Sequence, residues 1–113
     1  MRHHLGVLVA LLVTALLAGC MGTESPEERR QAFVAANPHL DERTLNAVLE
    51  GKIFIGMPAA AAEASWGKPS SVHRSVGIWG VSEQWVYALG YSKLPYAYVY
   101  IDNGVVSSWQ IMY

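Results

Sequence analysis

The sequence predicts an α+β domain in which about three N-terminal helices pack on one face of a small antiparallel sheet of three to four strands. Three observations predict it. Helix caps and stops punctuate the chain from Ser25 to Pro69, and β-prone runs separated by glycine- or proline-containing loops fill everything after Ser70. Those runs follow one another too closely for parallel crossovers, so successive strands pair antiparallel.

The first helix opens at Ser25-Pro26-Glu27-Glu28, which supplies an N-cap, a proline at the first helical position and a capping-box Glu. It runs through Ala36 with Ala32, Phe33 and Ala36 as its buried stripe, and Asn37-Pro38 stops it because the residue before proline avoids the α region. The second helix is capped by Asp41, with Leu40 stapled onto Leu45, an apolar face of Leu45, Val48 and Leu49, and Gly51 closing the end. Together the two form a hairpin-like N-terminal extension. Ile53-Phe54-Ile55 is a short β-prone run. The third helix follows Pro58, is rich in alanine, and stops at Gly67-Lys68-Pro69. Its small side chains allow close approach to a neighbour, with Trp66 filling the far end.

Strands are expected over residues 71–76, 83–89, 96–101 and 105–112. The last turn decides a register. A two-residue Asn103-Gly104 turn puts Tyr96, Tyr98 and Tyr100 on one face with Trp109 and Ile111 and mixes Val99 and Ile101 with Ser108 and Gln110 on the other, so that neither face is clearly the core. A three-residue loop with Gly104 left-handed pairs Ile101 with Val105 instead. That register puts Ala97, Val99, Ile101, Val105, Trp109 and Ile111 on the covered side, and Tyr96, Tyr98, Tyr100, Val106, Ser108 and Gln110 outside. It is the register expected.

The apolar content of 52% is unevenly placed: residues 5–19 carry no charge, and the rest reads as an ordinary globular chain. Met1-Arg2-His3-His4, the run Leu5 to Leu17 and the small pair Ala18-Gly19 form a signal peptide over residues 1–19. Leu17-Ala18-Gly19-Cys20 also resembles the bacterial lipoprotein lipobox at all four positions. That resemblance implies cleavage between Gly19 and Cys20, a diacylglycerol on the Cys20 thiol and an acylated (palmitate-type) amino terminus. Several acyl chains anchor stably where one does not. An uncleaved membrane anchor is the alternative, because the uncharged stretch 5–23 approaches the length of a span. Met21 follows the cysteine where Asp would resemble an inner-membrane retention signal, so the expected location is the outer membrane, facing the periplasm. The remaining organisation is a lipidated tether over 20–24, a helical pair over 25–51 and a helix plus sheet over 52–113.

Without residues 1–19 the chain has 94 residues with seven basic and nine acidic side chains, and no basic stripe. Nucleic acid is therefore not an expected partner. One cysteine excludes an intramolecular disulfide. His39 and His73 stand alone, without metal-ligand spacing, and no serine elbow, phosphate-binding glycine loop or close carboxylate pair in a β context is present. The acidic pairs Glu27-Glu28 and Asp41-Glu42 sit in first helical turns, where the helix dipole favours them. No enzyme activity, cofactor or metal is expected.

Ile55-Gly56-Met57, Trp66-Gly67-Lys68-Pro69, Glu83-Gln84-Trp85-Val86-Tyr87 and the Tyr-Ile-Asp-Asn-Gly hairpin ending at Gly104-Val105-Val106 resemble the SmpA/OmlA (BamE-like) family of outer-membrane lipoproteins. The resemblance spans residues 53–110, 58 of the 94. It implies the helix-then-sheet fold and a role beside the β-barrel assembly machine. Pro58 departs from the family's Thr or Ser cap, and residues 25–50 exceed its short N-terminal arm. No partner-contact residue carries over.

Two surfaces are candidate partner-binding sites. Gly77-Ile78-Trp79-Gly80 places two large apolar residues at a hairpin tip, where they enter a partner groove or lipid headgroups, or fold back onto the sheet. Tyr96, Tyr98 and Tyr100 form a row on the outer face, suited to an interface and equally to plain strand propensity. Trp85 and Tyr87 are expected in the core. The function expected is a lipid-anchored periplasmic protein-binding scaffold at the outer membrane, in barrel assembly or envelope integrity. The alternative is an inhibitor-like or small-ligand-binding lipoprotein acting on an envelope hydrolase.

Overall fold

A computed structural model describes residues 24–90 and 93–112; the signal segment, Cys20 and most of the tether lie outside the described residues. The chain is α+β as expected: helices α1 (Pro26–Ala36), α2 (Glu42–Glu50) and α3 (Ala59–Trp66), then strands β1 (Ser71–Gly77), β2 (Gly80–Leu89), β3 (Leu94–Asp102) and β4 (Val105–Ile111). The strands form one antiparallel sheet in the order β1-β2-β3-β4.

The caps act as their residue types predict. Ser25 Oγ accepts from Glu28 N–H, Asp41 accepts from Thr44 N–H, and Gly51 takes the left-handed conformation that ends α2. Ile53-Phe54-Ile55 is not a strand. It is an irregular link with Ile53 buried and Ile55 exposed, followed by residues that run along β4: Val106 N–H donates to Met57 O at 2.9 Å, and Ala59 N–H donates to Gly104 O at 2.9 Å. This pairing seats the N-terminus of α3 against the sheet.

The core joins Val48 of α2, Met57 and three alanines of α3 to Trp85, Tyr87, Ala97, Val99, Ile101 and Val106 of the sheet. Trp85 and Tyr87 are buried, as expected. Trp66 meets the Tyr87 ring edge-to-face, and the Tyr87 hydroxyl donates to Gly67 O at 2.9 Å. α1 packs on α2 and α3, held by two arginines that donate to the open C-terminal carbonyls of α3: Arg29 Nε to Ala64 O and Arg30 Nε to Ser65 O, each 2.9 Å. Arg30 reaches close under Gly51, where an added Cβ would lie 2.6 Å from its guanidinium.

Four expectations are corrected. Ala32 and Ala36 are exposed, and α1 contributes half-buried Phe33 and Val34 instead of a buried stripe. On α2 the buried residues are Thr44 and Val48, with Leu49 exposed; Thr44 is admitted because its hydroxyl donates to Asp41 Oδ1 at 2.6 Å. The last hairpin has the two-residue Asn103-Gly104 turn, both with positive φ, pairing Asp102 with Val105 and Ile101 with Val106. A bulge at Ser107 then shifts the register, so that Val99 still faces Trp109 and Ala97 still faces Ile111. Val106 is consequently the inward residue at 1% exposure, and Val105 lies at 40%. Finally, Trp109 and Ile111, expected on the covered side, remain exposed.

Candidate functional site

The β1–β2 tip is formed as the glycines require. Ile78 and Trp79 keep negative φ, and Gly80 takes φ 113°. A Cβ on Gly77 would collide with the Trp79 indole, which therefore lies on the Gly77 backbone; a Cβ on Gly80 would collide with Asn103 Oδ1. Asn103 ties this hairpin to the β3–β4 turn. Its Oδ1 accepts from Val81 N–H at 3.0 Å, its own N–H donates to Val81 O at 2.8 Å, and its Nδ2 donates to Trp79 O at 3.4 Å. The tip is thereby fixed while its side chains stay in solvent: Val76 is 73% exposed, Trp79 64% and Ile78 entirely so. Ile78 therefore projects outward, and the Trp79 indole rests on the hairpin's own backbone at Gly77 with most of its surface exposed. Sequence reasoning missed Val76 and Asn103. The signals were the placement of Val76 directly before the Gly-Ile-Trp-Gly tip and the Asn-Gly pair itself.

The three tyrosines are not a row. A second bulge, where Tyr87 pairs with Ala97 and Ala88 with Pro95, leaves Tyr96 as the extra residue of β3. Its ring lies 6.4 Å from that of Tyr87, and its carbonyl accepts from Met112 N–H. Tyr98 and Tyr100 keep the outer face, flanked by Gln84 and Val86 of β2 and Ser108 and Gln110 of β4. Gln84 Nε2 donates to Tyr100 Oη at 3.4 Å. Beside it, His73, Ser75, Ser82, Gln84, Tyr100 and Asp102 line a shallow polar cleft of about 200 Å³.

Hydrogen bonds from Ser107 and Ser82 hold the Asp102 carboxyl below the usual carboxylate range, so it stays an acceptor at neutral pH. The Thr44 hydroxyl does the same for Asp41. Burial, reinforced by the nearby Glu63 charge, pushes the Tyr87 phenol well above its ordinary value of 10.0. It acts as a structural donor to Gly67 O. His39 and His73 are both exposed, and among the described residues no three His, Cys, Asp or Glu side chains come together as a metal site. Among the described residues no helix is long and apolar enough to cross a membrane. A shallow apolar groove also runs between α1 and α3, walled by Ala32, Phe33 and Ala36 on one side and Ala60 and Ala64 on the other.

No family model matches the chain, and neither the curated proteins nor the solved structures contain a match to it.

Proposed function

We propose that the chain is a lipid-anchored periplasmic scaffold at the outer membrane, binding protein partners in envelope assembly or maintenance, with the β-barrel assembly machine as the candidate partner. The observation that carries this reading is Leu17-Ala18-Gly19-Cys20 placed directly before a short tether and a folded domain. The similarity of residues 53–110 to the SmpA/OmlA (BamE-like) family supports the location and the partner. A binding role accords with the outer sheet face, where Tyr98 and Tyr100 offer large contact area with polar tips. The second reading, a small-ligand-binding lipoprotein, draws on the polar cleft beside Tyr100 and Asp102.

The test is in-cell photocrosslinking from position 98 in the full chain, combined with labelled palmitate and the variant Cys20→Ser. The expected outcome is palmitate incorporation that the variant abolishes, and adducts between position 98 and barrel-assembly components. Label-free protein in the cytoplasm retires the anchor. A labelled protein with no adduct at position 98, and with ligand binding in the cleft, favours the second reading.

A further inference from the structure

We propose that the β1–β2 hairpin tip inserts Ile78 and Trp79 into the headgroup layer of the membrane that holds the chain, as a second attachment point beside the N-terminal anchor. The inference rests on the lipid anchor for its proximity to a bilayer, and on the tip itself for its chemistry.

Residues 75–82, Ser-Val-Gly-Ile-Trp-Gly-Val-Ser, contain no charged side chain. Within this segment the three most exposed large side chains are Val76, Ile78 and Trp79. Exposure of this kind is usually relieved by a hairpin folding back. Here it is relieved only in part: the Trp79 indole rests on the Gly77 backbone yet stays 64% exposed, Ile78 is wholly exposed, and Gly80 gives room to Asn103, whose amide bonds both Val81 and Trp79 main chains. The backbone of the tip and the Trp79 ring are thus held before binding, which leaves little main-chain freedom to lose.

The chemistry of the tip suits a bilayer interface better than a protein groove. A protein interface surrounds its apolar centre with polar groups that pair across it. At this tip the flanking Ser82 hydroxyl is already committed to Asp102 Oδ1 at 2.6 Å, and the Asn103 side chain is committed to the hairpin. What remains outward is the aliphatic Val76 and Ile78, the Trp79 indole and the small uncharged Ser75, and aliphatic groups beside an indole are the combination that settles at the boundary between headgroups and acyl chains.

Reach is consistent with this. Residues 20–24 are five, so Ser25 lies within about 18 Å of a lipidated Cys20. α1 begins near the C-terminus of α3, where Arg29 meets Ala64, whereas α3 begins at Gly104, next to the Asn103 clasp. Tether and tip therefore leave opposite ends of the domain. Attachment at both lays the strands along the membrane surface. Two side chains bind a bilayer weakly on their own, but an anchored domain meets its own membrane at high effective concentration.

The full chain, extracted from membranes and reconstituted into phosphatidylethanolamine–phosphatidylglycerol vesicles, is read by tryptophan quenching from brominated lipids. Intact mass reports acylation of Cys20 separately, so failure of the anchor and failure of the tip are distinguished. Protein recovered without acyl chains is added to the same vesicles. The expected result is quenching that falls at least twofold in Trp79→Phe and in Ile78→Asp, and is unchanged in Trp109→Phe, the exposed tryptophan of the opposite end. Equal quenching in the wild type and Trp79→Phe overturns the proposal and leaves the tip to water or to a protein groove. Loss of quenching in Trp109→Phe instead overturns it in favour of the other end of the sheet.

Discussion

β1 and β3 are strands of the same sheet, both carrying β-branched apolar residues on one face, and they meet opposite fates. Ala97, Val99 and Ile101 of β3 are buried, whereas β1 has no buried residue and Val72 and Val76 face solvent. The difference is cover. α3 and the Met57–Ala59 link lie against the β3–β4 half, where their main chain bonds β4 directly, while β1 extends past the helices as an edge. Apolar alternation therefore specifies which face a residue takes, and the helix layer decides whether that face becomes core.

The sharpest way to break this contrast is to remove one large side chain from each half. Met57→Ala empties a fully enclosed site under the β3–β4 half and is expected to cost about 3 kcal/mol in urea unfolding. Val76→Ser, on the open strand, should stay within about 0.5 kcal/mol of the wild type. Equal losses would mean that β1 is covered in solution. Next in size is Gly80→Ala, which sets a Cβ against Asn103 at a positive φ and is expected to cost about 2 kcal/mol. Its signature is faster amide exchange at Val81 and no change at Val99, so the damage should stay in the tip.

The smallest effect is a pH dependence carried by Tyr87, a residue of β2 buried against the end of α3. The fold holds Tyr87 protonated against a raised pKa, so its contribution is complete below pH 10 and is lost as the pH rises further. Unfolding followed from pH 8 to 11 should show that alkaline decline, and Tyr87→Phe should flatten it while losing about 1 kcal/mol at neutral pH, from the bond to Gly67.

What could be read from the sequence was what neighbouring residues decide. The caps at Ser25, Asp41 and Gly51, the stop at Gly67 and the tip at Ile78-Trp79 depend on a few adjacent positions. The two bulges were beyond such reading. Ser107 is accommodated by donating its hydroxyl to Tyr100 O, and Tyr96 is turned out of the tyrosine row where β2 and β3 change register. A pairing rule that assumes unbroken alternation selects the three-residue loop to explain a face separation that the bulge produces. The Arg29 and Arg30 clasp joins residues some 35 positions apart, and nothing local to Glu28-Arg29-Arg30-Gln31 announces it. The same distance dependence hid Asn103 from the tip it fixes.

The strand order β1-β2-β3-β4 has a consequence for how the chain reaches this state. Each strand pairs with its successor, so every ladder closes a short loop and forms rapidly once its two strands exist. The link from Gly56 to Ala59 breaks that pattern, because its main-chain partners, Gly104 to Val106, lie far along the chain, beyond three strands. The helices thus have their own contacts and the Trp66–Tyr87 contact to β2 early, but the N-terminus of α3 has no seat on the sheet until the β3–β4 hairpin forms. Removing the Asn103-Gly104 turn and β4 should leave a helical half and a three-stranded half that fail to lock, which makes the β3–β4 hairpin the closing step of folding.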